Sequence, residues 1–173
     1  MPIRLLFVTL FLVVSSPLHA ACPGGASTSF TVSGEVTNKA TFNLQALQSQ
    51  FLPAQVNITY IAEGEPVSAS YTGALLWDLL NNAPVGGIVT NPNIKNDILN
   101  KIIVVEGTDC YTAVFGAGEI DPFFGGSQVI VAYASNGQPL GSDGVAQIVI
   151  PGDKAGGRFV FNIDKIEVRD GTR

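Results

Sequence analysis

Beyond residue 20 the apolar residues of this chain fall into short runs, each cut by Gly, Pro or Asn, and that pattern limits the folds open to it. Residues 55–61 (QVNITYI) alternate apolar and polar side chains, the period of a half-buried strand. Residues 102–105 (IIVV) and 129–134 (VIVAYA) are continuous apolar runs, as expected of strands covered on both faces. Further strands are expected over 29–36, with a bend at Gly34, over 145–150 and over 159–168. Residues 108–115 read as a loop that leads into one more. Helical signals are few. Asn43 is a good N-cap for a helix over 44–50, which Pro53 stops. Leu75, Leu76, Leu79 and Leu80 form an apolar helical face within 74–82, ended by Asn81, Asn82 and Pro84. A short helix is expected near 94–99. Asn136-Gly137 and Glu63-Gly64-Glu65-Pro66 are turns, the two carboxylates of the second reading as solvated. Residues 116–126 are a glycine-rich loop whose rings, Phe123 and Phe124, are expected in the core, with an exposed apolar patch for protein contacts as the alternative. Strands do not alternate strictly with helices. The fold class is therefore α+β, mixed small sheets with short helices, and not a doubly wound sheet.

The first 20 residues read as a secretory signal peptide. Arg4 gives a positive start, residues 5–14 (LLFVTLFLVV) are an apolar run and Leu18-His19-Ala20 is the cleavage site. That run is short of the about 20 residues a spanning helix needs. Residues 21–173 are then one domain, located in the periplasm or secreted. Cleavage removes Arg4 and the chain's only His, so 8 basic residues face 14 acidic ones, a net charge of −6. This balance argues against nucleic acid and against a membrane surface after cleavage, since both call for basic patches. Without His there is no Ser-His-Asp triad, no Cys-His dyad and no His-ligated metal. Acid–base work would fall to carboxylates, Tyr or Lys.

Two cysteines remain, Cys22 and Cys110. An exported chain meets an oxidising compartment, where a pair is usually joined. Unpaired thiols and a functional Cys110 stay open as alternatives. Such a bridge closes a long loop and would stabilise by about 4–5 kcal/mol in the chain-entropy account.

The stretch over 148–168 (IVIPGDKAGGRFVFNIDKIEV) turns at Pro151-Gly152 and again at Gly156-Gly157-Arg158. Free glycine amides beside Arg158, with Lys154 near, are suited to an anion. The plainer reading has the glycines shaping a strand corner and Arg158 paired with an acid such as Asp153.

Several segments in order resemble the molybdopterin-binding domain of the sulfite oxidase family, particularly its small exported members. They are YTGALLWDLL over 71–80, Asp109-Cys110-Tyr111, VIVAY over 129–133 with NGQPL over 136–140, and IVIPG over 148–152. Gly156-Gly157-Arg158 and Ile166-Glu167-Val168 complete the set. The resemblance implies a sulfite-oxidase-like molybdopterin-binding fold and a pyranopterin held by backbone and basic side chains. Its cofactor would be molybdopterin, which supplies the redox chemistry. It also implies cofactor-binding roles for Arg158, Gly156, Gly157, Lys154, Tyr60, Asp109 and Tyr111.

Two departures bear on function. Family enzymes carry a metal-anchoring cysteine at the end of the strand matching 55–61, where this chain has Tyr60 or a neighbour. The family's G-x-R-x-x-K pattern keeps Arg158, but Phe161 stands at the Lys position. Cys110 lies where small members commonly have Gly, so it is not the missing ligand, and no metal ligand is assigned.

Three functions follow from these readings. The first is a non-catalytic module for a pterin or another small anionic ligand. The second is a molybdopterin-dependent oxidoreductase with atypical metal ligation, Tyr60, Asp109 and Tyr111 facing the metal. The third is a structural or interaction domain with no cofactor, whose protein partner the sequence does not name. No catalytic residue is assigned, and whether the chain is an enzyme is left open.

The cysteine reading has a direct test. Mass measurement of the exported protein should find it lighter by two hydrogens than its reduced form. Two alkylatable thiols in the native protein would refute the bridge.

Overall fold

A computed structural model describes residues 22–172, so the expected signal peptide lies outside the described residues. In chain order the elements are β1 (Ser29–Gly34), β2 (Ala40–Asn43), α1 (Leu44–Gln50), β3 (Ala54–Ala62), β4 (Glu65–Leu75) and α2 (Leu76–Asn81). There follow β5 (Lys101–Gly107), β6 (Thr112–Gly116), α3 (Ala117–Ile120), β7 (Ile130–Ser135), β8 (Gln138–Pro139), β9 (Gln147–Val149) and β10 (Ile163–Asp170). Single 3₁₀ turns stand at Asp97–Asn100, Gly141–Asp143 and Gly156–Arg158.

The first sheet runs β2-β1-β10-β5-β6. β1 pairs with β10 in parallel, and the other pairs are antiparallel. The second sheet runs β3-β4-β7-β8, with β9 also on β7. Alternation explains the buried faces. Phe30 and Val32 of β1, Ile103 and Val105 of β5, and Ile166 and Val168 of β10 are buried. From the second sheet Val56, Ile58, Ala74, Ile130 and Ala132 join the same hydrophobic cluster, with Leu47 of α1 and Leu76, Leu79 and Leu80 of α2.

Turn chemistry fixes both hairpins of the second sheet. Glu63 and Gly64 take positive φ (53° and 89°), as do Asn136 and Gly137 (50° and 74°), which matches the right-handed strand twist. Asn43 caps α1 as expected, its side chain accepting the Ala46 N–H at 2.9 Å. Gly73 allows β7 to approach: a Cβ there would lie 2.2 Å from the Val131 carbonyl oxygen. The register of β4 on β7 shifts at this point, between Thr72 and Gly73.

Three expectations need correction. The helix near 94–99 is a 3₁₀ turn at Asp97–Asn100, because the buried Asp97 carboxylate accepts the Asn91 N–H at 2.7 Å and folds the preceding segment back. The last strand begins at Ile163, not 159; Phe159 and Val160 instead cover the end of β9, where Val160 accepts the Ile148 N–H. Phe123 and Phe124 are not in the core, being 83% and 38% exposed. Gly125 approaches Glu119 so closely that a Cβ would lie 2.4 Å from its carbonyl oxygen, so that the chain doubles back and leaves the rings outside.

The cysteines form a disulfide that ties the segment before β1 to the turn between β5 and β6. The same segment is held by the Gly24 N–H on the Thr108 carbonyl at 2.8 Å and the Thr108 hydroxyl on the Gly25 carbonyl at 2.7 Å. Cys110 has φ 64°, a conformation glycine takes at less cost, so the bridge holds a strained backbone position.

Lys101, at the start of β5, is 3% exposed and is the cation of a buried cluster. Its ammonium lies 2.6 Å from Glu35, 3.3 Å from Asp97 and 3.4 Å from Asp170. Glu35 lies just after β1 and Asp170 ends β10, so one charge joins the ends of three strands. Glu35 and the other carboxylates raise the lysine's pKa against the opposing effect of burial. The Thr172 hydroxyl and N–H, with Lys101 adding to them, hold Asp170 down at about 2. The Asn91 N–H, the Asn100 amide and Lys101 lower Asp97.

Removing the cation leaves three carboxylates together. Lys101→Met should cost about 3–5 kcal/mol in urea unfolding. The pH dependence has a definite sign. Asp97 and Asp170 have depressed folded values, so the unfolded chain takes up their protons first. Their stabilisation is present above the unfolded value of about 4 and is lost as pH falls through the lower folded values, about 2 for Asp170. Acid unfolding followed by circular dichroism should show the loss in that window, and Asp170→Asn should make it shallower.

Candidate functional site

The connection from β9 to β10 runs along the end of β3 and builds the site. Ile61 donates its N–H to the Lys154 carbonyl at 2.9 Å and forms a parallel bridge with Ala155. The Gly156–Arg158 turn is closed by the Phe159 N–H on the Gly156 carbonyl at 2.9 Å. Gly156 lies against Tyr60 of β3: a Cβ there would stand 3.0 Å from the ring carbon Cε2. The Tyr60 ring packs on Phe159, centroids 4.8 Å apart. These residues, with Ile61, Glu63, Gly157 and Phe161, line a cleft of about 270 Å³. Its walls are largely aromatic and apolar, and no cation lines it.

Arg158 is directed elsewhere. Its Nε and one terminal nitrogen donate to the two oxygens of Asp153 at 2.9 and 2.7 Å, a bidentate pair. The other terminal nitrogen reaches Glu119 of α3 at 3.3 Å. The guanidinium lies 5.3 Å from the Phe115 ring centroid, a cation–π placement. Asp153 first, and Glu119 after it, raise the arginine's pKa above its ordinary value. Two carboxylates pair with one guanidinium, so its charge is already answered. An incoming phosphate would compete with both acids, which the arrangement opposes.

Tyr60 is a neutral phenol. Its hydroxyl lies 3.4 Å from that of buried Tyr71, and burial together with this contact pushes its pKa up to about 12. At neutral pH the phenol keeps its proton and does not supply an anionic oxygen.

The structure thus brings some of the expected residues together and not others. Tyr60, Gly156 and Gly157 line one cleft. Tyr111 reaches its edge, donating its hydroxyl to the Gly157 carbonyl. Asp109 turns back onto its own loop and accepts the Tyr111 N–H at 2.9 Å. Lys154 takes part through its backbone carbonyl, and its side chain is exposed. Sequence reasoning missed Phe159 and Ile61 as cleft walls and Tyr71 as the partner of Tyr60. The alternation of 55–61 was the available signal, because it placed Tyr60 on the inner face of β3.

These residues do not fit a protein-anchored molybdenum centre. Both cysteines are in the disulfide, so neither offers a thiolate, and Tyr60 is a protonated phenol, a poor substitute for that soft ligand. Among the described residues no three of His, Cys, Asp and Glu converge on a metal position. They do not fit the pterin phosphate either, since Arg158 is committed to Asp153 and Glu119 and Phe161 stands where the second cation is expected.

The chain has an α+β, molybdopterin-domain-like fold. It matches sulfane dehydrogenase SoxCD from Paracoccus pantotrophus over 88% of its length, with a TM-score of 0.64 and 19% sequence identity. It spans 40% of that longer chain, and the likeness is one of fold. No family model and no curated protein matches the sequence.

The tyrosine pair can be checked by ultraviolet titration. Tyr60 should ionise near pH 12, and Tyr71→Phe should lower that value toward 10 without reaching it, because burial remains. A Tyr60 midpoint unmoved by Tyr71→Phe would mean that the two hydroxyls are not in contact.

Proposed function

We propose that this chain is an exported binding module of molybdopterin-domain-like fold. It holds a small planar heteroaromatic ring of the pterin kind in the Tyr60 cleft and carries out no redox turnover. The observation that carries this reading is the state of Arg158. Three of its N–H donors go to Asp153 and Glu119, so the corner serves the scaffold and leaves a cleft of aromatic character beside it. Tyr60 and Phe161 offer ring surface on which a flat ligand packs, with buried Phe159 backing Tyr60. The polar edge of such a ring would meet the exposed backbone of Gly157.

Export is supported by the disulfide, which persists in an oxidising compartment. Among the described residues no helix is long and apolar enough to cross a membrane. A fold shared with a dehydrogenase supports an origin among oxidoreductase-related domains, while the donor set supports binding without turnover.

Protein purified from its export compartment should yield no stoichiometric molybdenum by elemental analysis. Titration with free pterin, followed by the ligand's own fluorescence, should saturate. Tyr60→Ala should weaken that binding by about tenfold, the worth of one good ring contact. Inorganic phosphate should not compete. Stoichiometric molybdenum would replace this reading with the enzyme, and no pterin binding at all would replace it with an interaction domain.

A further inference from the structure

A second cavity, of about 200 Å³, lies where the end of β4 and the start of α2 meet the segment between α3 and β7. It shares no lining residue with the Tyr60 cleft. Leu75, Ile120 and Val129 give it apolar walls, and Trp77 and Asp78, consecutive residues of α2, both line it. No Lys or Arg lines it. We propose that this cavity binds a small organic ammonium ion, its alkyl groups against Trp77 and the apolar walls and its charge answered by Asp78.

Each part of the chemistry points the same way. An indole face attracts a cation more than any other aromatic side chain does. The Asp78 carboxylate makes no side-chain hydrogen bond or ion pair among the described residues, so its charge is available to a ligand. A place in the first turn of α2 suits a carboxylate, but this does not explain why Asp78 and Trp77 line the same apolar cavity. An anion would meet Asp78 and be repelled. A neutral apolar ligand would cover the carboxylate and leave it without a partner. The protein's acidic balance, with a net charge of −5 and a pI near 4.6, draws cations toward it. The cavity lies below the usual range for drug-sized ligands, about 300–1,000 Å³, so the ion is small.

Trp77 is the only Trp of the chain, so emission excited beyond the tyrosine absorption band reports on this site alone. The disulfide-intact protein would be titrated with choline and with n-butylammonium. The control is the neutral carbon isostere of choline, in which carbon replaces the ammonium nitrogen. A saturable change in Trp77 emission is expected with at least one cation and not with the isostere. Asp78→Asn, checked for folding by circular dichroism, should weaken binding by about tenfold or more, and added salt should weaken it too. Should Asp78→Asn fail to fold, the comparison of choline with its isostere on the unaltered protein decides the matter. The proposal is overturned if neither cation gives a saturable change, if the isostere binds as well as choline, or if folded Asp78→Asn binds like the unaltered protein. None of these outcomes depends on pterin binding, which is read from the ligand's fluorescence and from Tyr60→Ala.

Discussion

The first sheet depends on the pairing of β10 with β1 on one side and β5 on the other. Without β10, β1–β2 and β5–β6 are two separate hairpins, each with an open edge and a half-covered apolar face. The last strand joins them and completes a five-stranded sheet from segments far apart in the chain. Such contacts close long loops, so their entropic cost must be met by burial of Ile163, Ile166 and Val168. Two covalent or ionic devices reinforce this closure. The Cys22–Cys110 bridge ties the segment before β1 to the β5–β6 turn. Lys101 gathers carboxylates from the ends of β1 and β10 and from the turn before β5.

The position of β10 also sets the site. The segment that brings the chain from β9 back to β10 must pass the end of β3, and there it meets Tyr60. Gly156 eases that contact, because a Cβ there would stand 3.0 Å from the ring and press it aside. Arg158 then falls between Asp153, five residues before it, and Glu119 on α3, and anchors the connection to a distant part of the chain. A guanidinium used in this way is a structural cation. The same ion pairs that tie the corner to α3 weaken its attraction for an anion.

Much of the fold was legible in the sequence because the signals were local. Asn43 and Pro53 bounded α1, Asn136-Gly137 bounded the β7–β8 hairpin, and the alternation of 55–61 marked β3. The motifs over 71–80 and 129–133 pointed to the α+β fold that the likeness to SoxCD shows. Local signals failed where a distant group took over. Asp97 folded back residues expected in a helix, and the close passage of Gly125 over Glu119 turned two phenylalanines outward. The site was legible only as a set of residue types. Its sequence members, Tyr60, Gly156 and Gly157, do meet, but the partner of Tyr60 and the acids around Arg158 come from other elements.

The sequence by itself determined that no histidine stands beyond position 20, and that the strand around Tyr60 carries no cysteine. It also determined the periodicities and turn residues from which the strands form. These are properties of single residues and near neighbours, readable without a third dimension. The tertiary structure decided what the charges do. Whether Arg158 faces a ligand or two carboxylates, whether Tyr60 gives up its proton, and whether Asp78 shares a cavity with Trp77 all depend on distances of a few ångströms. Electrostatic and hydrogen-bond energies change over that scale, and only the packed sheets fix it.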